Sequence, residues 1–176
     1  MNISPRISGQ QQGASLLVVL ILLLLMTVMG LAVLRGTTME ERMTANLYDR
    51  SLGFQAVESA LRQGEELARV TAVAAVPSSG CSGGLCSLPD PTVADRWLDT
   101  SFGGWRDASN NLADSNTPVP SARFIVEYMG MTPTWAGCDR NIPREKLCMT
   151  PRFRITAISN DDGRSSVLLQ TTYNKQ

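Results

Sequence analysis

The sequence predicts an α+β protein: one long N-terminal helix, transmembrane in its first half and amphipathic in its second, packed on a small antiparallel sheet. Three observations carry that prediction. Residues Ala14 to Leu34 hold no charged side chain. Beyond them apolar residues recur at helical spacing without a proline until Pro77. The last third of the chain carries short alternating runs separated by turn residues.

The order along the chain is a short polar leader (1–13), a membrane-length half-helix (14–34), an amphipathic half-helix (35–76), a loop-rich connection (77–120) and a sheet that completes the head (121–176). At about 1.5 Å per residue the 14–34 run makes a helix of roughly 31 Å, matching a hydrocarbon core of about 30 Å. Water is absent there, so an open chain crosses only as a helix, which satisfies its own backbone. The leader has Arg6 as its single charged side chain, and Arg35 and Arg42 beyond the span are offset by Glu40 and Glu41. This weak bias puts the amino terminus in the cytoplasm and the rest outside. A secretory signal peptide cleaved near Gly30 or Ala32 is the competing reading.

After Thr38 the apolar residues fall on one side. Met39, Met43, Leu47, Phe54, Val57, Leu61 and Ala68 recur at intervals of one helix face, interrupted by Arg50. Glu58 with Arg62 and Glu65 with Arg69 stand four apart and mark a solvated face. The residue before a proline is pushed out of helical geometry, so the helix should end by Val76, about 60 residues and near 90 Å from its start. Gly30, Gly36, Gly53 and Gly64 are weak points and candidate bends. Trp97, Leu98, Phe102 and Trp105 are the apolar anchors of the connection that follows. Strands are expected over 123–129, 153–158 and 167–173, the last two joined by the turn signal Asn160-Asp161-Asp162-Gly163. Phe124, Val126, Tyr128, Phe153, Ile155, Val167 and Leu169 should meet Phe54, Val57 and Leu61.

Composition narrows the chemistry. There are 16 basic and 16 acidic residues and no basic block, which argues against a nucleic-acid partner. The chain has no histidine, the commonest general base and zinc ligand. Gly80-Cys81-Ser82-Gly83-Gly84 matches G-x-S-x-G, but without histidine the usual triad cannot form, and no catalytic residue is expected. Cys81, Cys86, Cys138 and Cys148 all follow the apolar segment, as disulfides in an oxidising compartment would. The local pairs Cys81–Cys86 and Cys138–Cys148 need the fewest assumptions; crossed pairs stay open, and a zinc site has no tight C-x-x-C spacing behind it. Asp161-Asp162-Gly163 could ligate calcium, yet a hairpin turn explains the same residues. No cofactor and no metal is expected.

The stretch Gln12-Gly13-Ala14-Ser15-Leu16-Leu17-Val18-Val19-Leu20, with Arg35-Gly36-Thr37-Thr38-Met39-Glu40-Glu41-Arg42-Met43 and its continuation to Arg62, resembles the start of the PilX minor pilins, within the type IV pilin and pseudopilin superfamily. Phe153-Arg154-Ile155-Thr156 and Leu169-Gln170-Thr171-Thr172-Tyr173 look like that family's carboxyl end. The resemblance is dense from Gln12 to Arg62 and thin between Pro77 and Ser121. It implies a type IV pilin-like fold and a leader removed by prepilin peptidase between Gly13 and Ala14, with methylation of the new amino terminus. It implies filament-core contacts through Leu16, Leu17, Val18 and Leu20, and a single-pass stay in the inner membrane with the head in the periplasm. Other minor pilins and the major pilin are the implied partners, and the implied role is initiation of pilus assembly at or near the filament tip. Major pilins carry glutamate at the fifth mature position, where this chain has Val18. The tip pseudopilin of type II secretion, GspK, shares that lack, but its large inserted domain has no room in 176 residues. A periplasmic binding or adhesive domain displaying Trp97, Trp105 and the cysteine loops is the reading of a different class.

Overall fold

In the computed structural model, the described residues are 14–109, 120–140, 142–143, 147–159 and 164–175, the side chain of Arg35 excepted. The leader with Gly13, the turn at Asn160-Asp161-Asp162-Gly163 with its calcium reading, and residues 110–119 of the connection lie outside them. Helix α1 covers Ala14–Val70, and the chain divides into two compact units between Ala45 and Asn46.

The second unit is the head. Its strands are β1 (Cys81–Ser82), β2 (Leu85–Cys86), β3 (Arg106–Asp107), β4 (Ala122–Pro133), β5 (Met149–Ser159) and β6 (Leu168–Asn174). They form one sheet in the order β1-β2-β4-β5-β6, with β3 also on β4. The long strands β4, β5 and β6 pair antiparallel as expected. The sheet as a whole is mixed, because β2 runs parallel to β4, Leu85 opposite Val126. The cause is a tight hairpin. Gly83 and Gly84 both take positive φ, 57° and 84°, as a two-residue turn of the primed type requires, and the turn sends β2 along β4. The G-x-S-x-G match is therefore a hairpin, with Ser82 exposed on it.

Alternation in β4 sends Phe124, Val126 and Tyr128 to the α1 side and Arg123, Ile125 and Glu127 to the other. Tyr128 faces Phe153, but the next pair is Met131 with Pro151, so β4 holds one extra residue around Gly130, whose φ is +85°. The bulge lies beside Pro151, which has no N–H to give the ladder. The expected start of β5 at Phe153 moves back to Met149 for that reason: the pairing survives the proline across an irregular step.

The head's part of α1 meets the sheet through Gly53, Ala56, Val57, Ala60, Gly64 and Ala68, all buried. Phe54 does not join them and is 47% exposed. Leu61 packs only at the edge of the core. Gly53 and Gly64 are close-approach points and not mere weak points. A Cβ at Gly64 would lie 2.5 Å from Ile155 Cγ2 and 3.2 Å from Phe124 Cδ2. The core beneath consists of Phe124, Val126, Phe153, Ile155 and Ala157, flanked by Tyr128, Val167, Leu169 and Tyr173.

The helix stops at Val70, six residues before Val76. Thr71 still donates its N–H and hydroxyl to Leu67 O, at 3.0 and 2.6 Å. Its own carbonyl accepts from Lys175 Nζ at 2.6 Å, and Ala72 is extended (ψ 145°) ahead of a 3-10 turn at Val73–Ala75. Among the paired charges, Arg62 meets Glu58 as expected, whereas Arg69 forks onto Glu66 and not Glu65.

Candidate assembly helix and the head it leads into

Residues 14–34 have no ionisable group, so their chemistry is burial alone. Ala14 is the first residue of α1. Leu16, Leu17, Val18 and Leu20 are 53–70% exposed, and every residue to Leu34 is likewise open. An uncovered apolar run of this length is stable only in lipid or against other apolar helices. Its one hydroxyl beyond Ser15 is satisfied internally, Thr27 donating to Leu24 O at 2.8 Å. Nothing lies within 4 Å of a Cβ built on Gly30, which leaves a smooth dent on this segment.

Met39 and Met43 were expected on a face covered by the head. They are 77% and 67% exposed, and Leu47 is open as well. In the head unit the buried face of α1 is the Gly/Ala stripe Gly53, Ala56, Ala60, Gly64 and Ala68 with Val57. The larger apolar side chains therefore remain available to something other than this chain.

The second face of the sheet is covered by the connection. Glu127 is fully buried there and accepts from two arginines. Arg96 Nη1 donates to Glu127 Oε1 at 2.7 Å, and Arg154 Nε and Nη2 reach Oε2 at 2.9 and 2.8 Å. Arg96 also donates to Ser87 O at 3.0 Å, and Arg154 meets Asp95 at 3.3 Å. The Arg154 guanidinium stacks 4.1 Å from the Trp97 ring centroid, and that of Arg123 lies 5.1 Å from Trp105. Phe102 packs on Trp105 edge to face at 6.1 Å. Trp97 and Trp105 each stand against one of this chain's own arginines and remain partly exposed. Leu98 is not an anchor, being 67% exposed.

Sequence reasoning missed this cluster. Its signal was present: a glutamate inside the apolar run Phe124–Tyr128 needs a buried partner, and Arg154 stands in the neighbouring strand.

At the other end of the sheet, Asp49 of α1 holds the segment before β6. Arg164 Nε donates to Asp49 Oδ1 at 2.6 Å and the Ser165 N–H to Oδ2 at 2.8 Å. The Ser165 backbone N–H, and then the Arg164 guanidinium, hold the Asp49 carboxyl below its usual range. The cysteines are bonded Cys81–Cys86 and Cys138–Cys148. The first ties β1 to β2; the second closes the loop between β4 and β5.

Residues 12–62, under a third of the chain, match the family model described as PilX N-terminal. No curated protein and no solved structure matches the chain. Residues 12–62 are thus similar to the N-terminal part of PilX-family proteins. The helix is long and apolar enough to cross a membrane.

Proposed function

We propose that this chain is a minor subunit of a type IV pilus that helps to initiate filament assembly and stays at or near the tip, in contact with other minor pilins and the major pilin. The observation that carries the reading is the side chain at Val18. In major pilins the resemblance implies a glutamate there, which neutralises the terminal amine of the neighbouring subunit. Val18 is apolar and offers that amine nothing. A subunit with no neighbour in that direction loses nothing by the change, and such a position exists at the tip.

Processing between Gly13 and Ala14, by prepilin peptidase, is part of the same proposal, as are methylation at Ala14 and a periplasmic head before assembly. The exposed Leu16, Leu17, Val18 and Leu20 would then enter the filament core, exchanging lipid for neighbouring helices at little cost in burial. The uncovered Met39, Met43 and Leu47 support the reading, since they extend the apolar surface beyond membrane length. A type II secretion pseudopilus tip is the second reading, favoured by Val18 alone; the PilX match over residues 12–62 weighs toward the pilus.

The test is the intact mass of the protein from its native membrane, with and without reduction. A chain beginning at a singly methylated Ala14, gaining the hydrogens of two opened disulfides on reduction, is the expected result. A terminus near Leu31 or Val33 would mean a secreted soluble domain, and the filament proposal would be wrong.

A further inference from the structure

The two ends of the sheet differ. One closes with the two-residue strands β1 and β2, joined by a tight turn and a disulfide. The other is β6, Leu168–Asn174, which pairs with β5 on one side; among the described residues no strand lies on its other side. Short strands, charges, prolines and bulges are the usual means of keeping an open edge from pairing. β6 has none of them. Its seven residues, Leu-Leu-Gln-Thr-Thr-Tyr-Asn, run without a charge, a proline or a break in register.

The parity of the ladder fixes which backbone groups face outward. Ser159 N–H donates to Val167 O and Lys175 N–H to Pro151 O, both at 2.9 Å. Odd-numbered residues of β6 therefore turn their backbone groups toward β5, and Leu168, Gln170, Thr172 and Asn174 turn theirs away. That leaves four N–H groups and four carbonyls in a row, with no partner among the described residues. All four residues are exposed. Gln170 does not block the edge, since its Nε2 donates to Thr156 Oγ1 at 2.9 Å and leans back over β5. The strand is also held at both ends. Ser165 N–H donates to Asp49 and Val167 N–H to Ser159 Oγ, each at 2.8 Å, and Lys175 Nζ reaches Thr71 O at 2.6 Å. An edge fixed in this way loses little further freedom when a strand is added to it.

We propose that the outer edge of β6 accepts an extended, uncharged segment of another protein as an added antiparallel strand. The α1 side of β6 presents Leu169, Thr171 and Tyr173, with Leu169 and Tyr173 at the margin of the core. The incoming strand continues the core there, so its residues beside those two are apolar, and the alternate ones are polar. A charged side chain would find no counter-charge on Leu168–Asn174. The partner is not a second copy, an exclusion that rests on the anchored head proposed above. Antiparallel pairing of two β6 strands follows a two-fold axis normal to the sheet, which reverses the head part of α1 between copies. Subunits entering one membrane from the same side do not meet in that way.

The probe is a blocked peptide copying Leu168–Asn174. Antiparallel pairing sets its Tyr173 opposite the protein's Leu169, its Leu169 opposite Tyr173 and its Gln170 opposite Thr172. Amide hydrogen exchange, resolved by residue, is followed on the full chain in amphipol. Without peptide, the amides of Gln170, Thr172 and Asn174 should exchange freely and those of Leu169, Thr171 and Tyr173 slowly. Saturating peptide should slow the first set about tenfold or more. A peptide N-methylated at its own Gln170 and Thr172 loses two inward donors and should not bind. One N-methylated at Thr171, whose N–H faces away, should bind like the unmodified peptide. In the protein, Thr172→Pro removes one outward N–H and no bond to β5, and should weaken binding about tenfold. If that variant also lowers the thermal midpoint, the two methylated peptides decide. Slow exchange at Gln170 and Thr172 in the free chain would mean that the chain itself covers the edge, and slow exchange lost on dilution would mean a second copy. Either overturns the proposal. So would an unresponsive edge, or equal binding of the two methylated peptides, which would show side-chain adsorption. The pilus reading stands or falls separately, on the mass of the processed chain.

Discussion

A carboxylate in a strand interior is stable only if its charge is answered within the protein. Glu127 is answered twice, by Arg96 and Arg154, and each arginine has a further partner in Ser87 O or Asp95. Removing the central charge leaves two mostly buried cations facing each other. Glu127→Gln is therefore expected to destabilise the head by about 3–5 kcal/mol, the usual cost of breaking one side of a buried pair. Denaturant unfolding followed by tryptophan fluorescence measures this, since Trp97 stacks on the affected Arg154. A loss below 1 kcal/mol would mean that water already reaches the site. Asp49 acts by a different route. Its carboxyl is lowered from 3.8, first by the Ser165 N–H and then by Arg164. A depressed folded-state value favours the folded chain above the unfolded pKa, and that contribution is lost as pH falls through the folded one. The parent should lose stability from about pH 4 downward. Asp49→Asn should be less stable at pH 7 and show a shallower acid limb; an unchanged limb would remove Asp49 from the account.

At the scale of elements, the contact between α1 and the sheet depends on what is missing from Gly64. Alanine is the better helix former by about 1 kcal/mol, so propensity alone says Gly64→Ala stabilises. Its methyl would meet Ile155 Cγ2 at 2.5 Å in a filled core. Overpacking of this kind costs about 1–3 kcal/mol, so the net effect should be destabilising or near zero. Gly36→Ala, outside the head unit and with nothing within 4 Å, should leave the head's unfolding midpoint unchanged. Thermal unfolding of the pair checks both, and a stabilised Gly64→Ala would mean the helix rests further from β5. The same contact explains what could be read in the sequence. The apolar run at 14–34, the one long helix and the three long strands were legible because each is periodic or continuous in hydrophobicity. The face that packs was not, because hydrophobicity ranks Met39, Met43 and Phe54 above Gly53, Ala60 and Gly64, whereas close approach to a sheet selects for small size. The strands β1, β2 and β3 are two residues each, too short for any period to show. Asp49 and Glu127 were hidden for another reason: their partners lie 115 and 31 residues away in sequence, beyond any local pattern.

For the whole molecule, the division between Ala45 and Asn46 separates two kinds of stability. The head unit has its own core, two disulfides and an internally answered charge cluster. Among the described side chains the segment from Ala14 to Ala45 buries none and needs lipid or other apolar helices to cover it. Any information about position in a filament must then sit in the side chains it offers to neighbours, and Val18 is the informative one. The proposed tip position makes a definite claim about Val18→Glu. If no terminal amine comes to rest beside residue 18, the new carboxylate gains no partner. Near the start of the span it can reach the interface and ionise there at a modest penalty. Pilus number should stay close to that of the parent when the variant replaces the native gene, and labelled variant should remain at filament ends. If the subunit instead belongs in the shaft, the carboxylate should pair with the amine of a neighbour. Labelled variant would then appear along the filament and pilus number would change markedly. The first outcome supports the tip reading, and the second ends it while leaving the likeness of residues 12–62 to the PilX N-terminal model untouched.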